Sequence, residues 1–130
     1  MKKILVVDDQ FGIRILLKEM LEKEGYIVFQ AANGQQAIMI VENDAPDLAL
    51  LDLKLPGIGG IELLKRIKII EPHIVTIMMT AYEELSLLKE AKRFGAAAYF
   101  SKPFDIKEVR KIIKEHLDSG IIRSDHDKSI

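Results

Sequence analysis

The chain has 130 residues, 48% of them hydrophobic, enough for one domain with a real core. Its 19 basic and 20 acidic residues leave a net charge of −1, which advertises neither a nucleic-acid surface nor an anionic-membrane surface. There is no cysteine, so disulfides, thiolate catalysis and cysteine-ligated zinc are excluded.

Met1-Lys2-Lys3 leads into an apolar stretch too short for a secretory signal or a membrane span, so the expectation is a soluble cytoplasmic protein. Lys3–Val7 reads as a buried parallel strand that stops at Asp8 and Asp9. A helix is predicted over Gly12–Glu24, where Ile13, Leu16, Leu17, Met20 and Leu21 form a one-sided stripe and Gly25 ends it. Strand Ile27–Ala31 and helix Gly34–Asn43 follow. Strand Leu48–Leu51 stops at Asp52 and is followed by helix Gly60–Glu71. Strand Val75–Thr80 precedes helix Glu84–Phe94, which Gly95 ends. Strand Ala97–Ser101 delivers Lys102, and helix Ile106–Leu117 closes the series. Pro46 and Pro72 fall in connections, where they break no ladder. Residues 118–130 read as a short polar tail with Ser119-Gly120 as a breaker, so no output domain is expected. Five strand–helix units with short joins imply an α/β doubly wound parallel sheet, covered on both faces by right-handed crossovers.

Sheets of this kind place their sites at the carboxyl ends of the strands, where Asp8, Asp9, Asp52, Thr80 and Lys102 all fall. Three neighbouring carboxylates repel unless a cation joins them, and magnesium suits such an oxygen-rich pocket. Asp9 and Asp52 are assigned as direct ligands, the Lys54 backbone carbonyl as a third, and Asp8 as a ligand through water. Asp52 is then the best nucleophile toward phosphorus, forming an acyl phosphate. Thr80 would donate to one phosphoryl oxygen and Lys102 would pair with another as a point charge. Each residue alone has an ordinary explanation: helix cap, loop aspartate, sheet threonine, solvated lysine. The set is informative because all five share one predicted edge.

These residues carry a resemblance. Val7-Asp8-Asp9, Leu51-Asp52, Met79-Thr80-Ala81 and Lys102-Pro103-Phe104 resemble the receiver domain of bacterial two-component response regulators, over residues 3–117. The resemblance implies a (βα)5 flavodoxin-like sheet of strand order 2-1-3-4-5 and a cis Lys102-Pro103 peptide. It also implies Mg2+-dependent transfer from a kinase histidine to Asp52, with Mn2+ as a substitute, and slow self-catalysed dephosphorylation. Asp9-Gln10-Phe11-Gly12-Ile13-Arg14-Ile15-Leu16-Leu17, Glu24-Gly25-Tyr26 and Phe29 through Gly34 are similar to stand-alone receivers of sporulation phosphorelays. That likeness implies a monomeric relay station. Its expected partners are sensor histidine kinases, a histidine phosphotransferase of four-helix-bundle type and aspartyl-phosphate phosphatases.

Two departures stand out. Pro56-Gly57-Ile58-Gly59-Gly60 lacks the aspartate that many receivers carry in this loop, which implies altered flexibility without loss of chemistry. Tyr99 occupies an aromatic switch position where relay receivers usually carry His, leaving room for a Thr80–Tyr99 coupled switch. Projection of the first helix sets Phe11 and Ile15 opposite its apolar stripe, near the proposed site, as candidate docking residues. The resemblance extends that surface to Gln10, Gly12, Ile13, Leu16, Pro103 and Phe104, where a partner helix would pack. Lys54 and Tyr82, two residues after Asp52 and Thr80, are candidates for shielding the phosphoryl group from water.

Rival readings are weaker. An aspartyl-nucleophile phosphatase needs a second acid two residues after the nucleophile, where Lys54 stands. No Gly-x-Gly-x-x-Gly follows the first strand and no phosphate-binding Gly-Lys loop occurs. His73, His116 and His126 are dispersed and suggest no metal cluster. Within the family, the alternative is a chemotaxis-like switch whose phosphorylated form binds a target.

Overall fold

Short apolar runs of alternating facing become five parallel strands in the order β2-β1-β3-β4-β5. A computed structural model describes residues 1–81 and 84–129 of the chain. The elements run β1 (Lys3–Val7), α1 (Phe11–Lys23), β2 (Ile27–Ala31), α2 (Gly34–Asp44), β3 (Leu48–Asp52), α3 (Gly59–Ile70), β4 (Val75–Thr80), α4 (Leu85–Arg93), β5 (Ala98–Ser101) and α5 (Ile106–Ser129). Every strand pairing is parallel, so each connection is a helical crossover.

The sheet divides the interior into two cores because successive side chains in a strand point to opposite faces. On one face Ile4, Val6, Leu48, Leu50, Ile77 and Met79 pack against Leu17 and Leu21 of α1 and Val109 and Ile113 of α5. On the other, Leu5, Val7, Ala49, Leu51 and Met78 meet Ala37 and Val41 of α2, Leu63, Leu64 and Ile67 of α3, and Ala91 of α4. Strands covered on both faces explain why β1, β3 and β4 read as continuous apolar runs.

Local signals set the helix ends. The Asn33 side chain accepts from Gln36 N at 2.9 Å, while Gln36 Oε1 accepts from Ala32 N at 2.7 Å, so α2 starts with two otherwise orphaned amides satisfied. Gly25 at φ 93° and Gly95 at φ 105° turn the chain after α1 and α4. Gly60 matters for a different reason. A Cβ there would collide with the Asp52 carbonyl oxygen and lie 2.6 Å from Leu53 Cα, so its absence lets α3 seat against the end of β3.

Four expectations need correction. Leu16, assigned to the buried stripe of α1, is 40% exposed. The buried arc is the narrower set Leu17, Met20 and Leu21, and Leu16 lies a helical step to one side of it, on a groove between α1 and α5. Ala97 stands outside β5, and Asp52 belongs to β3 as its last residue. The expected polar tail after Leu117 is instead helical, since α5 continues through Ser119 and Gly120 to Ser129. One glycine in a helix interior costs about 1 kcal/mol relative to alanine, too little to stop a helix by itself. None of the described helices is long and apolar enough to cross a membrane.

Gly60→Ala should therefore destabilise the fold by about 1–3 kcal/mol through overpacking against backbone that cannot rotate away. Chemical denaturation would show it as a lower midpoint with little change in slope.

Candidate functional site

Parallel register brings the charged strand ends together. Val7 pairs with Leu51, Asp52 with Met79, and Thr80 with Ser101, so the residues that follow lie side by side along one sheet edge. The ladders continue a rung further: Asp8 N donates to Ala31 O at 3.1 Å, Leu53 N to Met79 O at 3.0 Å and Lys102 N to Thr80 O at 2.8 Å. The strand order reverses between β1 and β3, and the crevice opens there.

Asp8, Asp9 and Asp52 each offer a carboxylate oxygen, and all three lie within 4.8 Å of one another. Asp8 and Asp52 are buried, while Asp9 is exposed at the mouth. Lys102 Nζ bridges the two buried acids, 2.7 Å from Asp8 Oδ2 and 3.3 Å from Asp52 Oδ2. Backbone amides take the other oxygens: Gln10 N donates to Asp8 Oδ1 at 2.9 Å and Lys54 N to Asp52 Oδ1 at 3.1 Å. Lys102 is held by its own loop. The Lys102-Pro103 peptide is cis, and Phe100 and Phe104 meet edge to face at 5.1 Å on either side of it.

The electrostatics follow from one cation serving two acids. Burial raises the Asp52 carboxyl above the ordinary carboxylate range; Lys102 opposes that rise, and Asp8 adds to it. Burial works against the Lys102 ammonium, but its bonds to Asp8 and Asp52 outweigh that and hold its pKa above the ordinary lysine value. The donor set fits a hard divalent cation: three carboxylate groups at ligand spacing, one of them open to solvent.

The remaining predicted residues sit around this centre. Thr80 is buried and its hydroxyl donates to Ala81 O at 2.9 Å. Lys54 points outward and is exposed, and Tyr82 lies outside the described residues. Tyr99 is 50% exposed on β5, bordering a shallow cavity of about 480 Å³ between α4 and β5. Among the candidate docking residues, Gln10, Phe11, Gly12, Leu16 and Pro103 are exposed, whereas Ile13, Ile15 and Phe104 are half-buried. Phe11 is 68% exposed, with the Arg14 guanidinium 5.7 Å from its ring centre.

Three features escaped the sequence reading. Lys102 was expected on a phosphoryl oxygen, and its pairing with Asp8, 94 residues away, has no local signal. Arg14 Nη1 donates to Asp8 O at 2.7 Å and braces the β1–α1 turn. Glu84, four residues after Thr80, is a buried carboxylate whose Oε1 accepts from Ala81 N at 3.1 Å. An acid at the start of a predicted helix looks like an ordinary cap, so nothing distinguished it.

A doubly wound parallel sheet with an acid cluster, a lysine and a threonine at its switch point defines a receiver. The chain belongs to the response regulator receiver domain family, whose profile matches residues 4–114. It is 58% identical over 116 residues to Sporulation initiation phosphotransferase F of Bacillus subtilis (strain 168), covering 89% of this chain and 94% of that protein. It is 36% identical over 115 residues to Regulatory protein AtoC of Escherichia coli (strain K12), but spans only 25% of that longer protein. Among solved structures, the CheY-like receiver domain protein of Methanospirillum hungatei JF-1 superposes with a TM-score of 0.88 at 39% identity, covering 92% of this chain and 95% of that one. Receiver domains use Mg2+ at this acidic site.

The raised Asp52 carboxyl has a consequence for stability. A group whose pKa is higher in the fold favours folding below its unfolded pKa, and that contribution is lost as pH rises through the folded value. In metal-free buffer at neutral pH, Asp52→Asn should melt at a higher temperature than wild type. The gap should close once the pH falls below the ordinary carboxylate value of about 4, and thermal melts across that range would follow it.

Proposed function

We propose that this chain is a cytoplasmic phosphorelay receiver of sporulation initiation, accepting a phosphoryl group on Asp52 and passing it to a histidine phosphotransferase. The observation that carries the reading is the convergence of Asp8, Asp9 and Asp52 under the Lys102 ammonium. The 58% identity to a sporulation phosphotransferase along 94% of its length supports the biological context.

Asp52 supplies an ionised oxygen at the crevice, held in aim by the Lys54 amide. That oxygen forms the new P–O bond as the P–N bond to the kinase imidazole breaks; the imidazole keeps the electron pair and takes up a proton. Onward transfer is the reverse, with the histidine of the phosphotransferase as nucleophile. Lys102 shifts from its two carboxylates to a phosphoryl oxygen, and the Thr80 hydroxyl turns to donate to another. Asp9, Asp52 and the Lys54 carbonyl would hold Mg2+ or Mn2+ directly, with Asp8 reaching it through water. When bound, the cation neutralises the acid cluster and screens the incoming phosphoryl oxygens. The protein contributes mainly position and charge.

Partner docking is proposed on the face beside the crevice: Gln10, Phe11, Gly12, Ile13, Ile15 and Leu16 of α1 and its approach, with Pro103 and Phe104. Sensor histidine kinases, a four-helix-bundle phosphotransferase and aspartyl-phosphate phosphatases are its occupants. The exposed aromatic ring of Phe11 next to the site favours this surface. Exposed Lys54, together with Tyr82, would slow attack by water on the acyl phosphate. A second reading, a target-binding switch, draws on the position of Tyr99 beside open space between α4 and β5.

Radiolabelled phosphoryl donor and Mg2+ should label wild type and leave Asp52→Asn unlabelled; equal label on the variant would remove the proposed acceptor. Reversible exchange with a phosphorylated histidine phosphotransferase supports the relay, whereas one-way loading followed by new target binding supports the switch. Phe11→Ala should weaken that exchange by about 1–2 kcal/mol, roughly five- to thirtyfold, without altering loading from a small-molecule donor. Lys54→Asn should hydrolyse its phosphoaspartate faster than wild type, and an unchanged lifetime would refute shielding.

A further inference from the structure

Every polar atom of Asp8 is engaged. The residue is wholly buried; its amide donates to Ala31 O at 3.1 Å, Oδ1 accepts from Gln10 N at 2.9 Å and Oδ2 from Lys102 Nζ at 2.7 Å. Its carbonyl oxygen accepts from Arg14 Nη1 at 2.7 Å, a charge-assisted bond reaching back from the opening turn of α1. Asp9 is the opposite case. It is exposed, and among the described residues no side-chain hydrogen bond fixes its carboxylate. Yet one of its oxygens lies within 4.8 Å of oxygens of Asp8 and Asp52.

Asp8 and Asp9 share one peptide plane, whose oxygen belongs to Asp8 and whose nitrogen belongs to Asp9. Holding that oxygen sets the direction in which the Asp9 backbone, and the side chain built on it, leaves β1. The grip carries a permanent charge, since a guanidinium stays protonated in proteins. It is also rooted on the same turn, because Arg14 N donates to Gln10 O at 3.2 Å.

We propose that Arg14 is a positioning residue for the divalent cation: by holding the Asp8–Asp9 peptide it aims Asp9, the acid of the cluster that no other bond orients. Arg14 takes this role under the reading that Asp9 and Asp52 are the direct ligands. Magnesium demands near-ideal geometry at short range. An exposed carboxylate on a free peptide would have to be ordered when the ion arrives, at an entropic cost. On a held peptide much of that ordering is already complete in the folded chain.

Two effects of Arg14 on the cation oppose each other, and their signs tell positioning from simple capping. Its positive charge repels a divalent ion, so by charge alone its removal tightens binding. Its grip on the peptide preorganises Asp9, so by positioning its removal weakens binding. A guanidinium kept only to satisfy an orphaned carbonyl would support stability, and its loss would leave affinity level or raised.

The probe is MgCl2, titrated into metal-free protein and followed by the Asp9 and Gln10 amide resonances. Arg14→Ala should bind Mg2+ about tenfold more weakly than wild type, the scale on which partners of metal ligands act. Arg14→Lys keeps the charge on a shorter stem and should fall between the two. Without metal, the Asp9 backbone order parameter should lie near the rigid value of about 0.85 in wild type and drop in Arg14→Ala. Binding by folded Arg14→Ala as tight as wild type or tighter would overturn the role, as would an Asp9 amide equally ordered in both. If Arg14→Ala fails to fold, Arg14→Lys and wild type decide. Wild-type affinity in the lysine variant, or an Asp9 amide already mobile in metal-free wild type, then overturns it. Failure of the ligand assignment looks different: Asp9→Asn binds Mg2+ as tightly as wild type, and that overturns both readings.

Discussion

One ammonium group shared between two buried carboxylates is the interaction on which the site depends. Lys102 reaches Asp8 from β5 and Asp52 from the same position, tying the ends of three strands at a single point. Without a partner, buried carboxylates of like sign would either neutralise or push the strand ends apart. With Lys102 present the cluster is tolerated but still undercompensated, three acids against one ammonium. That imbalance leaves the crevice attractive to a divalent cation. Burial, the larger influence, keeps the Asp52 carboxyl above its usual range even beside the Lys102 ammonium.

The rest of the fold keeps that knot in place. Two cores on opposite faces of the sheet clamp β1, β3 and β4 from both sides, so the strand ends have little freedom to slide. Gly60 lets α3 close against the Asp52–Leu53 backbone, and the Arg14 guanidinium braces the Asp8 carbonyl from α1. Phe100, wholly buried, and Phe104, half-buried, hold the Lys102 loop between them. Phe104 therefore has a structural task besides any contact with a partner. The chemistry is carried by few atoms, but their spacing is imposed by packing on both faces of the sheet.

The surface around the crevice is divided. On the α1 side, Phe11 and Leu16 are exposed and lie close to residues that follow β1, where a partner histidine would have to approach. On the β4–α4 side, Thr80, Ala81 and Glu84 form a closed hydrogen-bonded corner. One flank presents exposed apolar side chains, and the other is closed by hydrogen bonds of its own.

Local pattern was enough for the five strands, the alternation with helices and the charged residues at the strand ends. Burial on both faces writes itself into a strand as an unbroken apolar run, and an abrupt acid marks where burial stops. Periodicity alone misjudged Leu16, because a stripe drawn at fixed angle is wider than the arc a neighbouring sheet covers. It also put the end of α5 at a Ser-Gly pair whose propensity cost is too small to decide the matter. The pairing of Lys102 with Asp8 and Asp52, and the grip of Glu84 on Ala81, belong to the tertiary structure. An ion pair across 94 residues depends on strand order and register, and a carboxylate's burial depends on what closes over it. Neither quantity is a property of any stretch of chain taken alone.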